Sequence, residues 1–170
     1  LVGSEKCIRD KGGPGNMLAA QLGVENPQAR EIVQNLWQEP MVAQHAGLKA
    51  VDLFHAVERG KIKAIWIIAT NPVVSLPDAD QVKRALEKCE FVVVSDICQN
   101  TDTTAYADVL LPALGWGEKD GTVTNSERRI SRQRAFLDSP QDAKADWWAM
   151  SQVAQKMGFT GFNFENSHQI

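Results

Sequence analysis

The stretch Lys63-Ala64-Ile65-Trp66-Ile67-Ile68-Ala69-Thr70-Asn71-Pro72 decides the fold. Its run from Ala64 to Ala69 is continuously apolar, too short for a helix, and set between two lysines, Lys61 and Lys63, and a polar turn. Such a run reads as a strand covered on both faces, which is how parallel sheets bury their strands. Thr70-Asn71-Pro72 ends it, and a looser stretch reaches Pro77-Asp78. Asp78 or Asp80 then opens a helix that carries Val82, Ala85 and Leu86. Phe91-Val92-Val93-Val94 follows as a second buried strand ending at Ser95-Asp96. Strand, crossover helix and strand make a parallel pair whose connection is expected to be right-handed.

Upstream of this unit, Asn26 caps a helix with Pro27 at its first position, and Ile32, Val33, Leu36 and Trp37 recur at helical spacing until Pro40. A second helix is expected from Lys49 to Arg59, with Ala50, Val51, Leu53, Phe54 and Val57 on one side and Gly60 as its stop. Downstream, Ala107 to Leu111 reads as a third strand, Thr122 to Thr124 as a candidate fourth, and Asp146 to Met157 as a final helix. The sum is an α/β domain of three layers, doubly wound around a mostly parallel sheet, Rossmann-like in kind. In such sheets ligands lie beyond the carboxyl ends of the strands, which here are Thr70-Asn71-Pro72 and Ser95-Asp96.

Composition sets the outer limits. The 170 residues carry 18 Lys and Arg against 21 Asp and Glu, a formal charge of -3, and are 44% hydrophobic. That content fits a globular chain and excludes collagen, coiled coil and wholesale disorder. The acidic balance argues against a chain whose main partner is a nucleic acid backbone. The longest apolar run falls far short of the ~20 residues of a membrane span. Cys7, Cys89 and Cys98 show no C-x-x-C spacing, so they read as reduced thiols of a cytoplasmic protein, and Cys89 and Cys98 more as small buried hydrophobes than as reactive groups. Residues 1–16, with Gly12-Gly13-Pro14-Gly15, read as a flexible leader, and the domain is placed at 17–170. A chain opening on Leu1 and ending at Ile170 without a stop signal is expected to be a piece of something longer.

Candidate site residues each have an ordinary reading as well. Asn71, directly after a buried strand, offers an amide that donates and accepts, but Asn-Pro is also a common turn dipeptide. Asp96 stands where a carboxylate in a nucleotide-binding sheet accepts ribose or base donors, and equally where a strand end is capped. Thr101, Asp102, Thr103 and Thr104 either hold phosphates or cap a short helix leading to Tyr106. Asn125-Ser126-Glu127-Arg128-Arg129 sets acceptors beside guanidiniums, a pattern suited to guanine and phosphate and equally to a solvated loop. His45, His55 and His168 have no metal spacing, and no G-x-G-x-x-G, Walker, G-x-S-x-G or H-E-x-x-H motif occurs.

Several longer stretches, in order, carry a resemblance. They are Ala69-Thr70-Asn71-Pro72-Val73-Val74-Ser75-Leu76-Pro77-Asp78, Val94-Ser95-Asp96-Ile97, Tyr106-Ala107-Asp108-Val109-Leu110-Leu111-Pro112, and Trp116 to Arg129. Together, from about Met17 to Phe164, they resemble the molybdopterin oxidoreductases of the dimethyl sulfoxide reductase superfamily, and within it the assimilatory nitrate reductases. The resemblance implies one of the α/β domains over which a molybdopterin guanine dinucleotide is draped, two such cofactors holding molybdenum in the whole enzyme. It implies that Asn71 and Pro72 lie near the ribose and diphosphate, that Asp96 meets the guanosine end, and that Thr101 and Thr103 form a T-x-T loop. It sets Glu127 at guanine, with Asn125 and Arg128 supporting it.

The same resemblance implies oxygen-atom transfer from nitrate, giving nitrite, at a metal whose cysteine ligand and companion [4Fe-4S] cluster lie outside this segment. No catalytic or metal-ligating residue is therefore expected here, and the isolated segment is expected to be inactive. The implied partners are the remaining domains of the parent enzyme and an electron donor, with neither nucleic acid nor membrane. Two other readings stand beside it: a formate dehydrogenase of the same scaffold, and a molybdenum-free structural relative in a respiratory complex.

Overall fold

A computed structural model describes residues 23–37, 42–127, 129–140 and 142–170. The expected leader, residues 1–16, and Arg128 lie outside the described residues. The chain divides into two compact units, the first holding the described residues up to Val94 together with Asn100–Val109, the second Ser95–Gln99 with Leu110–Ile170.

Three strands, β1 (Ala64–Ile68), β2 (Phe91–Asp96) and β3 (Val109–Pro112), form a parallel sheet in the order β1-β2-β3. This is the α/β class that the apolar runs imply. Ile67, Val92 and Val94 are at most 1% exposed, so each side chain contributes about 1.5–3 kcal/mol by leaving water. The crossover between β1 and β2 holds a single helical turn, α3 (Pro72–Ser75), and then α4 (Ala79–Lys88). Asp78 is the N-cap of α4, its Oδ1 accepting the Gln81 amide at 2.9 Å, and Val82, Ala85 and Leu86 are buried as their spacing requires.

Also in the first unit are α1 (Pro27–Trp37) and α2 (Ala50–Glu58). Asn26 Oδ1 accepts from the amides of Gln28 and Ala29, the expected cap. The buried stripe of α1 is Ala29 and Val33, whereas Ile32 and Leu36, two of the apolar residues at helical spacing, are exposed. An i, i+4 pair covers one narrow line of a helix, and residues a turn-fraction away fall off it. Gly60 ends α2 at φ +70°, a conformation that a Cβ disfavours. Glu58, at the last position of α2, joins it to α4: its carboxylate accepts from Gln81 Nε2 and Arg84 Nε, both at 3.1 Å, with Lys88 Nζ at 3.7 Å.

In the second unit, β4 (Gly121–Thr124) pairs antiparallel with β5 (Ile130–Gln133), Gly121 opposite Gln133 and Thr124 opposite Ile130. Thr122–Thr124 is thus strand as expected, but in a separate two-stranded sheet rather than as a fourth member of the parallel one. Its partner was hidden because Ile130-Ser131-Arg132-Gln133 is mostly polar, and its pairing is held by a turn rather than by an apolar face. The last helix, α5 (Asp146–Lys156), follows a parallel bridge between Ala113 and Lys144. Cys98 is exposed and Cys89 only half-buried, so neither is the small core residue expected of it. Both are free thiols.

Candidate cofactor-binding site

In the first unit the turn after β1 bends sharply, with Ala69 at φ +54°, and delivers Asn71 to the start of α3. An Asn there ordinarily turns its own oxygen onto the first free amides of the helix. Here that task falls to Thr103, thirty residues beyond Val73, whose Oγ1 accepts the Val73 amide at 3.3 Å. Thr103 is fully buried, and its hydroxyl donates in turn to Asn71 Oδ1 at 2.5 Å. Asn71 is half-buried and Pro72 buried beside it. The sequence-predicted pair Asn71 and Thr103 is therefore brought together directly.

Thr101 belongs to the same loop, with its polar groups turned inward. Thr101 N donates to Thr104 Oγ1 at 2.7 Å, and Thr104 N to Thr101 Oγ1 at 3.1 Å. This reciprocal pair opens the short 3-10 turn Thr104–Tyr106, which is the capping reading of the threonine loop.

Asp96 ends β2 in the second unit. Its Oδ1 accepts the Cys98 amide at 2.8 Å, bending the chain out of the strand, while its backbone carbonyl accepts from Ala113. With Oδ1 in that turn, Oδ2 is the oxygen left for another donor. Asp96 lines a cavity of about 690 Å³ together with Gln99, Pro112, Gly115, Glu118 and Asp142. Glu118 is fixed there by accepting the Gly115 amide at 2.6 Å. Asn125 and Glu127 lie in the hairpin turn between β4 and β5. Asn125 Oδ1 accepts the amides of Glu127 and Arg129 at 3.0 and 2.9 Å, so it shapes the turn that presents the exposed Glu127 carboxylate. Glu127 is not among the residues lining the Asp96 cavity.

One pair that the sequence did not single out also stands in the second unit. Lys119 Nζ lies 3.4 Å from Asp146 Oδ2, both side chains mostly covered, while Asp146 Oδ1 is buried with no partner among the described residues. A buried acceptor without a donor is costly. The only sequence trace was Asp146 at the head of a helix, where an acidic residue is ordinary. Gln133, also missed, is buried and donates from Nε2 to the carbonyls of Trp116 and Lys119, tying the hairpin to the turn that carries Lys119.

Comparisons with known proteins identify the family to which this fold belongs. The model of the family Molybdopterin oxidoreductase matches residues 2–156. A nitrate reductase of Shewanella frigidimarina is 52% identical over 162 residues, 95% of this chain and 17% of its own length. The alpha subunit of F420-dependent formate dehydrogenase 2 of Methanococcus maripaludis is 40% identical over 84% of this chain and 21% of its own. The structure of acetylene hydratase from Pelobacter acetylenicus superposes with a TM-score of 0.63 at 21% identity, over 73% of this chain and 18% of that one, which speaks for the fold. The chain thus spans about a fifth of the length of these relatives. With a family model covering most of its residues and these relatives beside it, the chain belongs to the molybdopterin oxidoreductase family.

Proposed function

We propose that this chain is the segment of a molybdenum-dependent nitrate reductase that holds the guanosine end of a molybdopterin guanine dinucleotide. The observation that carries the nitrate reading is the 52% identity to a nitrate reductase over 95% of the chain, against 40% over 84% for a formate dehydrogenase. In this reading the cofactor supplies oxygen-atom transfer from nitrate to give nitrite, with electrons arriving through a [4Fe-4S] cluster and a donor outside this segment. The parent enzyme works in the cytoplasm, where Cys89 and Cys98 stay reduced.

The chain's own residues bind and orient. Asp96 Oδ2 and Glu127 accept from guanine or ribose donors, because a carboxylate takes two N–H donors side by side as few other groups do. Asn71, set by Pro72, meets the ribose and diphosphate. Thr101, Thr103 and Asn125 act through the turns that they build, and Arg128 adds charge beside Glu127. No residue of this segment takes a catalytic role.

The test is made on the full-length enzyme. Acid hydrolysis of the purified protein is expected to release GMP in proportion to molybdopterin, and release of no GMP or of another nucleotide refutes the guanine reading. With a reduced viologen as donor, nitrate is expected to be turned over; oxidation of formate without nitrate reduction selects the alternative. Asp96→Ala with Glu127→Ala is expected to lower GMP per protein, and unchanged retention refutes the assignment of those two carboxylates.

A further inference from the structure

We infer that Thr103 is a positioning residue: it fixes the rotation of the Asn71 carboxamide so that the NH2 branch, and not the oxygen, is offered to the ligand. The inference rests on the reading of Asn71 as a cofactor contact and adds which of its atoms makes that contact and what holds it there.

The argument turns on one hydroxyl proton. Thr103 Oγ1 accepts the Val73 amide at 3.3 Å, so its own proton must find a different acceptor. Thr103 is fully buried, and the acceptor within reach is Asn71, whose Oδ1 lies at 2.5 Å. Turning the amide by half a rotation would set Nδ2 against Thr103 Oγ1, which would then only accept, from Val73 N and Asn71 Nδ2, and would strand the hydroxyl proton where no water reaches it. The amide is therefore held with Oδ1 inward. Its Nδ2 has no protein partner among the described residues, and Asn71 is only half-buried. A side chain at this helix start would ordinarily be consumed in capping α3, but the Val73 amide is already met by Thr103. One threonine thus both releases Asn71 from capping and sets which face it presents. An outward NH2 group matches an acceptor such as a phosphate, hydroxyl or carbonyl oxygen, and rejects a bare donor.

The test uses the full-length enzyme and two readouts: the rate at which bound cofactor, counted as GMP after hydrolysis, is lost during dilution, and the thermal midpoint of cofactor-stripped protein. Thr103→Val keeps the shape and removes the hydroxyl; it is expected to speed cofactor loss on the order of tenfold, the worth of one hydrogen bond. Thr103→Ser is expected to restore the slow rate. Asn71→Asp preserves an acceptor for Thr103 but replaces the outward donor with an acceptor, so cofactor loss is expected to speed up while the stripped protein melts as before. In the Asn71→Ala background, Thr103→Val is expected to add nothing to cofactor loss while still lowering the midpoint through the uncapped Val73 amide. Equal acceleration in both backgrounds would show that Thr103 acts independently of Asn71 and overturn the inference. A fast-releasing Asn71→Ala beside a Thr103→Val that releases slowly overturns it too, leaving Asn71 as a contact. If Asn71→Ala itself releases slowly, the contact reading falls with it.

Discussion

Asp108 and Val92 exchange two hydrogen bonds before β3 has begun: the Asp108 amide donates to Val92 O at 2.9 Å, and the Val92 amide donates to Asp108 Oδ2 at 2.7 Å. The carboxylate takes the place of a backbone carbonyl and sets where the third strand joins the sheet. Asp108→Ala is expected to expose the Val92 amide, costing about 1–2 kcal/mol and raising its hydrogen-exchange rate. Asp108→Asn retains an acceptor oxygen and is expected to leave that amide protected. Exchange at Val92 followed by mass spectrometry in the full-length enzyme separates the two variants, and equal protection in all three proteins would remove Asp108 from the register.

Ile67 gives the plainest measure of how far the sheet depends on the run that disclosed it. The side chain is 0% exposed, and Ile67→Ala deletes three carbons from a closed site, for an expected loss of about 2–5 kcal/mol. Ile67→Val removes one and is expected to cost about 0.5–1.5 kcal/mol. Denaturant titration of the cofactor-stripped enzyme reads both; a Val variant as damaging as the Ala one would mean that shape rather than volume is limiting there.

What could be read from residues alone follows from how local the cause is. The buried strands, the Asp78 cap, the Asn26 cap and the Gly60 stop each depend on a few neighbours in the chain, and each lies where the pattern put it. The hairpin partner β5 does not, since Ile130–Gln133 is a strand only because Asn125 folds the chain back onto β4. The site divides the same way. Asn71 and Asp96 stand at strand ends, positions that the fold class predicts. The duties of Thr103 toward Asn71 span 32 residues, and those of Asp146 toward Lys119 span 27, so no local motif could announce them.

Gln133 holds one such long-range tie, with a consequence for the second unit. Its buried amide donates to the carbonyls of both Trp116 and Lys119, and Gln133→Leu would leave two acceptors unmet. The expected cost is about 1–3 kcal/mol, felt where the turn of Trp116–Glu118 joins Lys119. Gln133→Glu is expected to be worse, because it sets a carboxylate against two carbonyl oxygens at neutral pH. Thermal midpoints of the stripped enzyme should fall in the order wild type, Leu, Glu; a Glu variant as stable as the wild type would break the assignment.

Acid should loosen the first unit through Glu58. Its carboxyl is held below the ordinary glutamate range, first by the hydrogen bond from Gln81, then by that from Arg84, with the charges of Arg84 and Lys88 adding to both. A carboxyl whose folded value is depressed releases its proton more readily in the folded chain than in the unfolded one, so the unfolded state binds more protons as pH falls. The stabilisation is therefore complete above the unfolded glutamate value and disappears as pH drops through the lower, folded one. The side chain keeps about a fifth of its exposure and its cationic partners half or more of theirs, so salt weakens the charge component while the two short hydrogen bonds persist. Glu58→Gln is expected to lower stability at neutral pH and to flatten the acid limb of the stability profile. Hydrogen exchange of the Gln81 to Leu86 amides between neutral pH and pH 3 reads this locally, after correction for the intrinsic rate. An acid limb equally steep in Glu58→Gln would assign the pH response to another carboxylate.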